Sequence, residues 1–418
     1  MIGQPQSGLP LAADPHPPSR GEALCDARAN PAPGEDAAAG AIRQAEIAAW
    51  KAIVAKYQIP HRGRAWWQII NTIFAYAALW VAMYFALKLS WWLVLPLLLL
   101  ATGLLIRVFI IFHDCGHGSF FRSRAANTFL GFLCGMLTFT PYHHWWWEHA
   151  VHHATAGDLD RRGVGDVWTM TVSEYLASSL TTRFFYRLTR NPAFLFVVAP
   201  VYLFIIGQRV PSPKASLRER MSVWWMNLAI LGMAVGMSHL FGFVPYLIIQ
   251  LSILIISGSA GIWLFYVQHQ FEGVYWERTG DWEYTAAALQ GSSYYKLPKI
   301  LQWFSGNIGF HHIHHLSPRI PNYNLERCHR SDPLFHEVPA ITLFASLRSL
   351  SFRLWDEAAG KLVSFRALRK LRAAQARETK EKANAAPANA AETQAPPAHP
   401  DEKRLDGKRA DGQPGEFS

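Results

Sequence analysis

Apolar residues along this chain fall into long uninterrupted runs separated by polar stretches. Trp66 to Leu87 and Trp91 to Phe112 each have the length needed to cross about 30 Å of hydrocarbon. Only Lys88-Leu89-Ser90 separates them, so they predict a tight hairpin. A second hairpin is predicted from Trp224 to Phe241 and Val244 to Val267, joined by a turn around Gly242 and Pro245. The tryptophan pairs Trp66-Trp67 and Trp91-Trp92 stand where aromatic rings anchor helix ends at a membrane interface. Ala41 to Tyr57 predicts a short amphipathic helix, with Ile47, Trp50, Val54 and Tyr57 at helical spacing and Pro60 beyond it. Thr128 to Thr140 is too short to span and is expected in the interface.

Ala193 to Gly207 is a further apolar run, short, preceded by Pro192 and interrupted by Pro200. If it spanned, the basic loop carrying Arg209, Lys214, Arg218 and Arg220 would lie outside, against the positive-inside rule. It is therefore read as re-entrant or interfacial. The expected fold is all-α and integral to the membrane: four transmembrane helices in two hairpins, with both termini and a helical cap on the cytoplasmic side. That cap is expected to hold a dimetal site.

Histidines gather where these hairpins end. His113 and His117 are four residues apart, so on a helix both rings point the same way. His149, His152 and His153 form an H-x-x-H-H cluster, and His311, His314 and His315 repeat that spacing. So many imidazoles packed together would repel when protonated and lack partners when neutral. Metal ions resolve this, and the number of histidines exceeds the needs of one tetrahedral zinc, so two ions are expected. A dinuclear nitrogen-ligated site at a membrane surface suits iron activating dioxygen. Ligand histidines need an acceptor on the other ring nitrogen, and Asp114, Glu148, Asp158, Asp160 and Asp166 are the candidates.

Composition adjusts this picture at its edges. The chain has 418 residues, 50% hydrophobic and 17% charged, which is too apolar for a soluble protein with evenly spread charge. Residues 1–40 and 374–418 are rich in Pro, Ala and charged residues and read as disordered tails flanking a membrane domain over 41–373. The N-terminus carries no charged start followed by an apolar core, the mark of a secretory signal. The net charge of +10 lies mainly beside apolar segments, as in Arg183, Arg187 and Arg190 or Arg366, Arg369, Lys370 and Arg372. That arrangement fits anionic lipid headgroups rather than nucleic acid. Cys25, Cys115, Cys134 and Cys328 are scattered, implying neither a disulfide framework nor a thiolate metal site.

The motifs His113-Asp-Cys-Gly-His117, His149-x-x-His152-His153 and His311-x-x-His314-His315, in that order with a hairpin between the second and third, resemble the three histidine boxes of membrane fatty acid desaturases. Gly118-Ser119-Phe120-Phe121, Ala154-Thr155-Ala156-Gly157-Asp158 and Pro321-Asn322-Tyr323 resemble the bacterial acyl-lipid type related to omega-6 (delta-12) enzymes, and the likeness covers roughly Tyr57 to Leu347. The resemblance implies a bacterial inner-membrane enzyme with two Fe ions. It would use O2 and two external electrons to convert an acyl-chain CH2-CH2 to a cis double bond. It also implies a further ligand at His269, one turn beyond Phe265, where acyl-CoA desaturases carry an asparagine. His143, His144, His312 and His329 are expected to be supporting or structural, and Trp145 to Trp147 to form an interfacial belt or line an acyl channel. A His-Pro-Gly-Gly motif of a fused cytochrome b5 is not present, so a ferredoxin or separate b5-like donor is expected to dock on the basic cytoplasmic surface. A histidine-box hydroxylase or ketolase acting on an alkane or carotenoid would share the ligands. A non-catalytic metal transporter would need ionisable residues within the spans, where only Arg107 and His239 qualify.

Overall fold

The computed structural model describes residues 50–385 of the chain. The expected tail 1–40, most of the tail 374–418, and the first part of the predicted Ala41–Tyr57 helix lie outside them. Within the described part that helix runs over 50–55, and Trp50 and Val54 are buried.

Four helices among the described residues are long and apolar enough to cross a membrane: Arg62–Leu89, Trp91–Gly116, Leu217–Phe241 and Phe243–His269. Each is longer than its apolar run, because polar residues at the ends continue the backbone ladder once the apolar stretch has set it. The extension matters most at the second and fourth helices. Trp91–Gly116 carries His113 and Asp114 on its last turn, and His269 is the final residue of Phe243–His269.

The breaks are chemically clear. His61 caps the first helix by accepting the Arg64 backbone N–H at its Nδ1, 3.2 Å away. Ser90 is extended at φ −166° and ψ 138°, and its Oγ accepts the Trp92 N–H that begins the second helix. Gly242 has φ 84°, a conformation L side chains rarely adopt, and separates the third helix from the fourth. The outer faces carry exposed Phe74, Val81, Phe85, Leu99, Leu228, Leu231 and Val235, the surface expected of helices bathed in hydrocarbon. Inward, Met83, Ala101, Val108, Ile111, Phe112, Ile249 and Ile253 form one core. Leu180–Thr189 and Phe194–Arg209 make a pair bent by 62° at the break between them. The Arg124–Leu137 helix, over the region expected to be interfacial, has 14 residues.

The structure is mostly helical, but the all-α expectation misses two small sheets. Met170–Thr171 pairs in parallel with Leu354–Asp356, which pairs antiparallel with Lys361–Val363. Tyr294–Lys296 pairs in parallel with Ala340–Thr342. Strands of two or three residues are too short for an alternating pattern to register. A second correction concerns Arg190, grouped above with the basic surface. It is only 1% exposed, and its Nη2 donates to Gln270 Oε1 at 2.8 Å. The chain divides into compact units at residue 365. In the second unit the described residues continue the helix Phe365–Ala385, into the segment expected to be a tail, because Ala, Arg, Lys and Glu all favour helix.

Candidate metal centre

Box one sits at the end of the second long helix. His113 is buried on its last turn, and His117 is its C-cap, with its backbone N–H donating to His113 O at 3.1 Å. Their rings stand 4.7 Å apart, as the four-residue spacing requires. Box two lies on the helix Tyr142–Thr155. Tyr142 fixes its start by donating to Cys115 O at 2.6 Å, and Trp145 stacks on His149 with centroids 4.5 Å apart while meeting Phe109 and Phe112. Box three forms the short buried helix His311–Leu316. The end of the fourth long helix brings in His269.

The rings converge in two groups. One ligand atom from each of His113, His117, His149, His153 and His314 lies within 4.8 Å of the others, and the same holds for His152, His269 and His315. His311 stands beside the second group, with its Nε2 2.9 Å from His269 Nε2 and 3.1 Å from His315 Nε2. In the first group His153 Nε2 is 3.1 Å from His149 Nε2 and 2.9 Å from His314 Nε2. All nine predicted histidines are thus brought together.

This donor set fits metal ions. One proton can satisfy a pair of facing ring nitrogens, but it cannot serve three or more rings meeting in one place. Ring nitrogens about 3 Å apart are close enough to share an ion that each would bind at about 2.1 Å. His117 Nε2 and His152 Nε2 are buried with no hydrogen-bond partner among the described residues, as a metal-facing nitrogen would be. Burial holds His149, His153, His311, His314 and His315 well below the usual imidazole pKa, and neighbouring histidines push the same way, so the rings are neutral and available as ligands.

Three ligand candidates have their far nitrogen held. His152 Nδ1 is 2.6 Å from Asp166 Oδ1, His113 Nδ1 is 3.3 Å from Asp114 Oδ1, and His269 Nδ1 is 3.1 Å from Gly291 O. In each case the bond leaves Nε2 for the cluster. Gly165 makes the Asp166 contact possible. Its φ is +72°, and a Cβ there would stand 2.9 Å from Glu148 O and 3.0 Å from His152 Cβ.

The other predicted acids hold different partners. Glu148 faces His144, Oε2 to Nδ1 at 3.7 Å, and burial raises its pKa. Asp158 is fully buried but organises its own loop, accepting from the backbone of Asp160 and Arg161 and from Thr279 Oγ1. Asp160 pairs with Arg278 at 2.6 Å on the surface. None of these bonds reaches a box histidine. The spare histidines hold other partners: His312 Nε2 meets His329 Nδ1 at 3.1 Å, His144 Nε2 accepts from Ser212 N–H, and the His143 N–H donates to Ser222 Oγ. Of the tryptophans, Trp145 forms part of the wall and Trp146 is partly exposed.

A cleft beside the second group is lined by His152, Asp166, Phe265, His269, Tyr275 and Trp276. Phe265, at the asparagine position of the acyl-CoA enzymes, packs its ring 5.0 Å from His152 and 5.1 Å from His269. Two contributors were not among the predicted site residues. Gly291 acts through a backbone carbonyl, which any residue type offers. Asn322 stands within the Pro-Asn-Tyr wording, and its N–H and Nδ2 donate to Asp114 Oδ2 at 2.7 and 2.8 Å.

Comparison with known proteins agrees with this architecture. The fatty acid desaturase family profile matches residues 89–342. A fatty acid desaturase of Bacillus subtilis is 48% identical over 316 residues, covering 76% of this chain and 90% of that protein. The sn-1 oleoyl-lipid 12-desaturase of Synechocystis sp. is 26% identical over 64% of this chain and 75% of its own length. The sn-1 acyl-lipid omega-3 desaturase (ferredoxin) of the same organism is 27% identical over 59% of this chain and 70% of its own length. A buried histidine cluster of this kind, on helices fit to cross a membrane and within the matched region, places the chain in the fatty acid desaturase family.

Proposed function

We propose that this oxidoreductase introduces a cis double bond into the acyl chain of a membrane lipid, using O2 and two electrons from an external donor, at two iron ions. The observation that carries the reading is the convergence of three histidine motifs and His269 into two adjacent nitrogen clusters. His113, His117, His149, His153 and His314 would hold one ion; His152, His269, His315 and the adjoining His311 would hold the other. Bound there, iron supplies the strong oxidant that hydrogen removal from an unactivated methylene demands. The chain's own residues do the rest. Asp114, Asp166 and Gly291 orient the rings, burial excludes water, and Phe265 packs against His152 and His269 at the cleft beside the second group.

The four long helices act as two membrane hairpins, which puts His113 and His269, both at helix ends, in one cytoplasmic layer with both termini. The bent pair Leu180–Thr189 and Phe194–Arg209 lies re-entrant or interfacial, in keeping with Pro200 and its exposed Leu180, Phe184 and Phe185. Residues 41–373 are the catalytic domain, in the inner membrane of a bacterium. The substrate is an acyl lipid desaturated in the delta-12 or omega-6 manner, a reading supported by the oleoyl-lipid relative. A ferredoxin fits as donor, since one relative carries that word in its name, and a b5-like protein is the other choice.

Fatty-acid methyl ester profiling in a host making only saturated and monounsaturated chains tests this. A new dienoic acid is expected, and its double-bond position gives the regiochemistry. His152→Ala or His314→Ala should abolish the product and lower bound iron. Hydroxylated or keto products without new double bonds would overturn desaturation.

A further inference from the structure

The Asp114 carboxylate does more than face His113. Asp114 is 2% exposed, and Asn322, whose N–H and Nδ2 meet Asp114 Oδ2, is 1% exposed. The Asn322 amide is in turn paired with Gln68, itself 2% exposed, in the first long helix. Gln68 Nε2 donates to Asn322 Oδ1 at 3.0 Å, and Asn322 Nδ2 donates to Gln68 Oε1 at 3.2 Å. An unbroken buried chain therefore runs Gln68, Asn322, Asp114, His113, joining residues 254 and 208 positions apart.

The donor and acceptor inventory fixes its direction. The two Nδ2 hydrogens of Asn322 serve Asp114 and Gln68, and its Oδ1 receives from Gln68, so both ends of the amide are engaged. A flipped Asn322 would aim its oxygen at the carboxylate and lose that contact, and Gln68 would have to flip with it to keep the other two. With Asn322 locked, two donors hold Oδ2, and the carboxylate can turn only so as to present Oδ1 to His113 Nδ1. That contact selects the ring tautomer that leaves Nε2 free towards His117, His149, His153 and His314. Among side chains this deeply buried, a satisfied network of this kind fixes geometry, whereas a broken one leaves a buried carboxylate without donors.

We propose that Asn322 and Gln68 are positioning residues for the first metal group, acting on His113 through Asp114, a proposal that rests on His113 being a ligand. A neighbouring contact supplies the control. Asn324 joins the same two regions, accepting from Arg64 Nη1 at 3.0 Å and donating to Tyr57 O at 2.9 Å, but its bonds do not lead to Asp114.

The test uses the purified full-length protein loaded with iron(II), with metal release into a colorimetric chelator followed in time. Asn322→Ala should release iron about 10–100-fold faster than the parent, the range typical for loss of an outer partner of a metal-bound histidine. Gln68→Leu should accelerate release in the same direction by a smaller factor, and it carries the test if Asn322→Ala does not fold. Asn324→Ala should release iron at the parental rate. Equal acceleration in Asn324→Ala and Asn322→Ala would overturn the proposal in favour of general loosening of that contact region, and parental release in Asn322→Ala or in Gln68→Leu would overturn it as well. His113→Ala separates the two levels. If it loses iron while Asn322→Ala does not, the relay alone fails; if it keeps its full iron, the ligand assignment beneath the relay fails.

Discussion

At the scale of single residues, the histidines were legible because ligand spacing is local: three or four residues on a helix bring two rings to one ion. Which of the five candidate acids would support them was not, because a carboxylate's partner is chosen by folding. Asp158, Asp160 and Asp166 occupy one short stretch, yet only Asp166 reaches a box histidine, at 2.6 Å from His152 Nδ1. The difference is testable. Asp166→Asn should weaken iron retention by about 10–100-fold, and Gly165→Ala should act the same way through the backbone that aims Asp166. Asp160→Asn, which weakens exposed contacts to Arg278 and the Thr279 N–H, should retain iron like the parent. Iron content after gel filtration in the presence of a weak chelator reads all three, and equal losses at Asp160 and Asp166 would contradict this assignment of roles.

At the scale of elements, the long helices could be read from apolar runs, while their ends and the short strands could not, since caps and tertiary pairing set them. Close approach between elements is another feature invisible in the pattern. Gly131, in the Arg124–Leu137 helix, lies so near Tyr142 that a Cβ would come 2.1 Å from its Cε2. Tyr142 cannot easily yield, being buried and hydrogen-bonded to Cys115 O at the first residue of the box-two helix. Gly131→Ala should therefore lower stability by about 1–3 kcal/mol through overpacking and displace the helix that carries His149, His152 and His153. Thermal unfolding in detergent should show the lowered midpoint, and the double change Gly131→Ala with Tyr142→Phe should not restore it, because the clash is with the ring and not the hydroxyl.

For the whole molecule, the histidine clusters tie stability to pH and to metal. Burial holds His149, His153, His311, His314 and His315 well below the value of 6.5 that they regain on unfolding. Above pH 6.5 these rings are neutral in both states, and their titration does not favour either. As pH falls below 6.5 the unfolded chain takes up protons that the folded chain refuses, so stability must drop. Bound metal moves the balance the other way, towards the folded state, since it binds only neutral rings and only where folding assembles them. Convergence of sites from residue 113 to residue 315 is a property of topology, and the alternation of long apolar runs with histidine motifs was the one part of it written along the chain. The metal-free protein in detergent should therefore melt at progressively lower temperature from pH 7 to pH 5. Iron should raise the midpoint most near pH 7 and lose that effect on acidification. A metal-free midpoint independent of pH over this range would mean that the rings are not held neutral, and would remove the electrostatic basis for reading them as ligands.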